Sequence, residues 1–362
     1  MNLPALKIGN LVCKRPIIQG GMGVGISMSG LASAVANEGG IGVISAAMPG
    51  IHEPDISINS DDANNRVLRQ EIRKAQRMTK GVLGMNVMVA LTNYADMVKT
   101  AIEEGIDVIF SGAGLPMDLP GFLTDDSKTK LVPIVSSGRA AGLLCKKWLA
   151  KYNYLPDAFV VEGPKAGGHI GFKTDQINDP AFNLEKLVGD VIETVKVFEI
   201  AENAEIPVIA AGGIYTGRDI HDFLCMGAAG VQMGTRFVAT HECDADEAFK
   251  QMYVASKPED MVIINSPVGL PGRAIRNHFL DEVSRGNTTP FKCPFHCIKT
   301  CNSEKSPYCI AIALGNARKG KFKYGFAFAG ENAHRIDRIV SVKALMDSLV
   351  MEYAMVAARH AA

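Results

Sequence analysis

Short, largely apolar runs alternate with longer stretches of helical composition along the first two thirds of this chain. The runs cover residues 15–20, 42–46, 82–88, 108–111, 131–136, 158–161, 207–211 and 230–233. They are predominantly apolar rather than apolar at every second position, which is the pattern of strands in a parallel sheet covered on both faces. Helices are predicted between them over 29–38, 62–78, 94–104, 140–152, 184–201 and 217–226. The connection after the fourth run is short and irregular. Eight β-α units in about 240 residues match the size of an α/β protein of the (β/α)8 TIM-barrel type. A doubly wound open sheet is the rival architecture.

After Phe237 the alternation stops. Residues 244–256 read as a helix and 261–264 as a short apolar run. Residues 268–276, with the cysteine-rich stretch beyond them, read as an irregular appendage. An amphipathic helix over about 341–358 closes the chain. The expected organisation is a barrel over 1–239, completed by a C-terminal helix within 335–362. Residues 240–334 form a smaller cap or substrate region that contains the cysteine-rich segment 293–309.

Composition narrows the class of function. The 362 residues are 47% hydrophobic, enough for a large core. Lys+Arg and Asp+Glu each number 38, so no charge excess points to nucleic acid or an anionic membrane. No apolar stretch approaches the roughly 18 residues of a transmembrane helix, and residues 1–14 lack the pattern of a signal peptide. A cytoplasmic chain is expected, in which the eight cysteines are thiols or metal ligands rather than disulfides.

The candidate chemistry lies in VVEGPKAGGHIGF, residues 160–172, where the sixth run breaks into a glycine-rich loop around His169. Glycine lets backbone approach a ligand closely, and a histidine there can carry a proton near neutral pH. Barrels of this kind place chemistry at the C-terminal ends of the strands, with phosphate often held after strands seven and eight. Here strand seven runs into Ala211, Gly212 and Gly213, and strand eight into Gly234, Thr235 and Arg236. Backbone amides at such turns can cradle a phosphate. The first run ends in Gln19, Gly20, Gly21, Met22 and Gly23, without the G-x-G-x-x-G/A spacing or the acidic partner of a dinucleotide fingerprint. Asn86 ends the third, either facing a ring edge of mixed polarity or capping its loop. A flavin mononucleotide with its phosphate at the last two loops would lay its ring near strands one, three and six, beside His169.

At these residues the chain resembles the nitronate monooxygenases, formerly called 2-nitropropane dioxygenases, and equally the related FMN-dependent enoyl-ACP reductases. The motifs are QGGMG at 19–23, GMNVM at 84–88, EGPKAGGH at 162–169, AAGGI at 210–214 and MGTRF at 233–237. The resemblance covers about residues 8–280. It implies a TIM barrel with non-covalent FMN, contacted by Gly21, Met22, Asn86, Gly168, Gly213, Gly234 and Thr235. The same motifs extend this set to Glu162, Gly167, Ala211, Gly212 and Gln232. His169 matches the family's catalytic histidine. The chain departs from the pattern at Pro164 and Lys165, where an acidic residue usually precedes Ala-Gly-Gly, and in its tail after 290.

Cys293, Cys297, Cys301 and Cys309 fall in a C-x3-C-x3-C-x7-C pattern with His296 among them. The spacing is looser than usual zinc or ferredoxin motifs. Helical spacing would put the first three on one face. Zinc, an iron–sulfur cluster, or thiols packing as small apolar groups all remain open. Three functions compete: oxidation of alkyl nitronates with His169 as base or anion stabiliser, NAD(P)H-dependent reduction of enoyl thioesters at the same flavin, and a non-catalytic flavin-binding or metal-sensing role. The expected partner is a small-molecule substrate, with a homodimer open.

Overall fold

The computed structural model describes residues 3–361 except 288–292, with Ala361 described for its backbone only. A hairpin of β1 (Leu6–Ile8) and β2 (Leu11–Cys13) leads into the barrel strands β3 (Ile17–Gln19), β4 (Ile41–Ser45), β5 (Leu83–Met88), β6 (Val108–Gly112), β7 (Lys130–Val135) and β8 (Phe159–Glu162). A two-residue strand, β9 (Gly168–His169), precedes the last barrel strands, β10 (Val208–Ala211) and β11 (Gly230–Met233). The eight barrel strands are all parallel and close in the order β3-β4-β5-β6-β7-β8-β10-β11. The open doubly wound sheet is thereby excluded.

Why these runs make a barrel is visible in their two-sided burial. Ile18, Val43, Phe110, Val160 and Ile209 point inward and form a compact interior cluster. Their strand neighbours Ile17, Ile44, Ile109, Val161 and Ala210 point outward into the layer beneath the helices. Both sides are apolar, so no polar alternation exists. Leu6, Ile8 and Cys13 of the β1–β2 hairpin join the interior cluster and close the N-terminal end. This hairpin leaves little signature in the sequence, because Gly9 and Asn10 separate runs of only three residues each.

The outer layer carries α1 (Ser29–Asn37), α2 (Ser60–Met78), α3 (Tyr94–Glu103), α4 (Gly138–Tyr152), α5 (Leu184–Glu202) and α6 (Gly217–Cys225). A 3-10 turn at Leu119–Phe122 stands where a helix after β6 would be. Beyond β11 come the short α7 (Thr235–Val238), α8 (Glu247–Ala255), β12 (Met261–Asn265), β13 (Pro271–Ile275), α9 (His278–Ser284), α10 (Ile310–Arg318) and α11 (Val342–Ala361). α11 packs against α6 and α1, and Glu352 accepts the Gly217 amide at 2.7 Å. Asp244 ties the segment after β11 back to the barrel. Its carboxylate accepts the amides of Met28, Gly30 and Leu31 at the start of α1.

The stretch 268–276, expected to be irregular, is largely strand. β12 and β13 form an antiparallel hairpin, and β9 pairs with β13, His169 lying opposite Gly272. The physical reason is that residues 261–265 and 271–275 are each too short to bury a face alone, and each supplies the other's hydrogen-bonding edge. Among the described residues, no helix is long and apolar enough to cross a membrane.

Candidate active site

A cavity of about 510 Å3 opens at the C-terminal ends of the barrel strands. That is within the range of small-molecule and cofactor sites. Gly21 and Met22 after β3, Asn86 on β5, Glu162 at the end of β8, and Gly167, Gly168 and His169 all line it. So do Ala211, Gly212 and Gly213 at β10, and Gln232, Gly234 and Thr235 at β11. The fold therefore brings the whole sequence-derived cofactor set and His169 to one chamber. It leaves the four clustered cysteines outside this chamber, around a second cavity.

His169 is held more firmly than a glycine loop would suggest. Its backbone lies on β9, paired to β13. Its Nε2 is 2.7 Å from the Ser266 Oγ in the β12–β13 turn. The Phe328 ring stands edge-on to the imidazole, with centroids 5.0 Å apart. Burial lowers the His169 pKa to about 4. The expectation of a proton carrier near neutrality is thus corrected: in this setting the imidazole is neutral at pH 7. Glu162 moves the opposite way, burial pushing its carboxyl up to about 7.

Backbone conformation prepares the same chamber. Gly168 has φ +81°, a region most side chains avoid. A Cβ built there would meet no protein atom within 4 Å. The space above Gly168 is part of the cavity, which is what close approach of a flat ligand requires. Gly213 has φ +85° and packs against the Lys165 side chain.

Positive charge gathers at the two phosphate-type turns. The Arg236 and Arg335 guanidiniums each lie 4.2 Å from the centroid of the Tyr215 ring, which itself lines the cavity. Lys165 is exposed at the cavity wall. Asn332 donates to the Gly213 carbonyl at 2.6 Å, and Thr235 Oγ1 accepts the Gly330 amide at 2.9 Å. Cationic side chains, two glycine turns and an open ring-sized face over Gly168 fit the phosphate and ring of FMN.

Sequence reasoning missed Ser266, Phe328 and Tyr253, whose hydroxyl donates to the Phe328 carbonyl. The signal for Ser266 was present: NSPVGL, with Gly269 at φ +84°, separates two strand-length runs and reads as a hairpin turn. Nothing local marked Phe328, which arrives from a distant irregular segment.

The cysteines are also arranged differently from the helical face expected of them. Residues 293–301 are irregular, not helical, and Cys309 is the N-cap residue of α10. Among the described residues, no group of three or more His, Cys, Asp or Glu stands close enough to hold a single metal ion.

A family model described as nitronate monooxygenase matches residues 5–352. A probable nitronate monooxygenase of Staphylococcus saprophyticus is 25% identical over 97% of this chain and 98% of its own length. An indene-carboxyl-CoA dehydrogenase of Mycobacterium tuberculosis is 27% identical over 76% of this chain, which spans only 66% of that protein. The solved structure of FabK from Thermotoga maritima superposes with a TM-score of 0.73 at 28% identity, covering 96% of this chain and 95% of that one. The nitroalkane oxidase of Streptomyces ansochromogenes, at 22% identity, shares the fold with a TM-score of 0.72 over 97% of this chain and 98% of its own.

Proposed function

Since the chain belongs to the nitronate monooxygenase family and is thereby an enzyme of the flavin-dependent oxidoreductase type, we propose that it oxidises small alkyl nitronates at an FMN in the barrel mouth. The observation that carries this reading is a neutral, doubly supported histidine on the wall of a chamber also lined by the glycine turns after β10 and β11. Gly213, Gly234 and Thr235, with Arg236 and Lys165 nearby, would hold the phosphate. Gly21, Met22, Asn86 and Gly168 would face the ring. Bound FMN supplies the oxidation and the reaction with oxygen.

The protein's own residues bind and orient. One nitrogen of His169 is engaged by Ser266, which fixes the ring. The other is free to donate a hydrogen bond to an anionic nitronate oxygen. Such a bond is strengthened by the charge of its acceptor. A neutral donor does this without forming a tight ion pair that would favour bound substrate over the transition state. Phe328 stands edge-on against the imidazole and restricts its rotation.

A second reading, NAD(P)H-dependent reduction of an enoyl thioester, is favoured by the carboxyl-CoA named as substrate of the mycobacterial relative. Lys165 at the cavity wall supports it too, as a contact for a phosphorylated carrier. Anaerobic mixing separates the two. We expect oxygen uptake with alkyl nitronate and no flavin bleaching by NADH or NADPH. Rapid bleaching by either nicotinamide, reversed by an enoyl thioester, would overturn the nitronate reading.

Glu162 sets an expected pH dependence. Its carboxyl is neutral below about 7 and ionises above it. The new negative charge beside an anionic substrate lowers kcat/KM as pH rises through that point. His169, titrating near 4, contributes no limb around its ordinary value of about 6.5. In a pH profile, Glu162→Gln should therefore abolish the decline near 7. A decline that persists in this variant assigns it to another group. The same raised pKa stabilises the fold below the ordinary carboxylate range, and that contribution is lost as pH climbs through about 7.

A further inference from the structure

The second cavity, about 240 Å3, is lined by Cys293, Cys297, Cys301 and Cys309, the four thiols of the C-x3-C-x3-C-x7-C pattern. They reach it from two directions. Three come from an irregular segment with no helix or strand to dictate their spacing, and the fourth caps α10. Thiols serving as small apolar filler would pack against one another or the core with no void between them. Cys293, Cys297 and Cys309 do pack on one side against the apolar cluster around Val24, Met48 and Phe295, but all four also line a void that filler would close.

Two further observations point to a bound group. Tyr308 also lines the cavity, and its hydroxyl is buried without a hydrogen-bond partner. A lone buried hydroxyl costs about 1–3 kcal/mol unless something accepts its proton. Finally, the thiols are too dispersed for one ion. A single zinc needs sulfurs about 2.3 Å from one point, and no such grouping exists among the described residues. A cubic cluster spreads its ligands over the larger span that four thiols around a cavity provide.

We propose that Cys293, Cys297, Cys301 and Cys309 ligate a [4Fe–4S] cluster in this cavity, with the Tyr308 hydroxyl donating to a cluster sulfide or a cysteine sulfur. Ligation removes the four thiol protons to solvent.

The cluster would fasten a loop onto the barrel mouth. Leu91, just beyond β5, bridges to Ile298, and the Thr92 amide donates to the Cys297 carbonyl at 3.2 Å. Thr300 donates to the carbonyl of Val268, two residues from Ser266. The cysteine segment thus supports the turn that holds His169.

The test uses the full chain, purified anaerobically and, in parallel, reconstituted with equal amounts of ferrous and ferric iron and with sulfide. Expected are about four iron and four acid-labile sulfide per chain, with broad absorption that bleaches under dithionite. Cys297→Ser should lose most of the iron and sulfide, at least about fivefold, while FMN content stays the same. Cys225→Ser, an exposed cysteine elsewhere, should retain both. Failure of the wild-type chain to hold sulfide after reconstitution overturns the proposal. So does one zinc per chain without sulfide, or full iron retention in a folded Cys297→Ser protein. The wild-type measurement stands even if that variant does not fold. Because the readout is iron and sulfide rather than turnover, it succeeds or fails independently of the nitronate reading.

Discussion

Replacing His169 by alanine should lower kcat/KM for an alkyl nitronate by about 10²–10³-fold, roughly 3–4 kcal/mol of transition-state stabilisation. The expectation follows from the setting of the imidazole: paired on β9, bonded to Ser266 and flanked by Phe328. Removing it leaves a water-accessible hole where a fixed donor had met the substrate's charge. Ser266→Ala keeps the imidazole but frees its orientation, and should cost only about tenfold, mostly in kcat. In both proteins the FMN content should match the wild type, since neither substitution removes one of the proposed cofactor contacts. Activity of His169→Ala within about threefold of wild type would mean that the chemistry does not pass through this side chain.

Gly168→Leu should abolish FMN retention, weakening it by at least about 100-fold, equivalent to some 3 kcal/mol. Two effects combine. A non-glycine residue at φ +81° carries a backbone penalty of about 1–2 kcal/mol. The larger effect is occlusion, because a Cβ at Gly168 meets no protein atom and Gly168 lines the chamber, which a leucine there would partly fill. Gly269 separates the two. It has φ +84° and equally open surroundings, but sits in the β12–β13 turn outside the chamber lining. Gly269→Leu therefore carries the strain without the occlusion and should still bind FMN. Flavin-to-protein ratios after gel filtration report both. Equal losses in the two variants would trace the effect to strain and remove Gly168 from the proposed ring face.

Much of the architecture was legible because a parallel barrel writes a plain signature. The eight runs are apolar on both faces, and the observed strands fall within a few residues of the expected ones. What escaped notice were elements whose stability is borrowed. β1 and β2 are three residues each and persist by plugging the barrel floor. β9 is two residues long and exists only as an edge of β13. The chamber was legible in the same degree. Glycine turns at the ends of β3, β10 and β11 and the asparagine on β5 are local features with fixed positions in the strand order. Their convergence follows from barrel closure.

From its sequence alone, this protein determined a repeated β-α pattern that closes into a barrel, and a set of glycines, one asparagine and one histidine at the strand ends. It also displayed four cysteines in a short span. Tertiary structure alone decided what those groups can do. Burial by elements distant in sequence turned His169 from a proton carrier into a neutral hydrogen-bonding group and Glu162 into the group that titrates near 7. An irregular loop and a helix cap, rather than one helical face, turned the cysteines toward a shared cavity. Protonation state and ligand geometry depend on which atoms surround a group. For these residues the surroundings come from β13, the segment around Phe328 and the start of α10, none of which is adjacent to them along the barrel repeat.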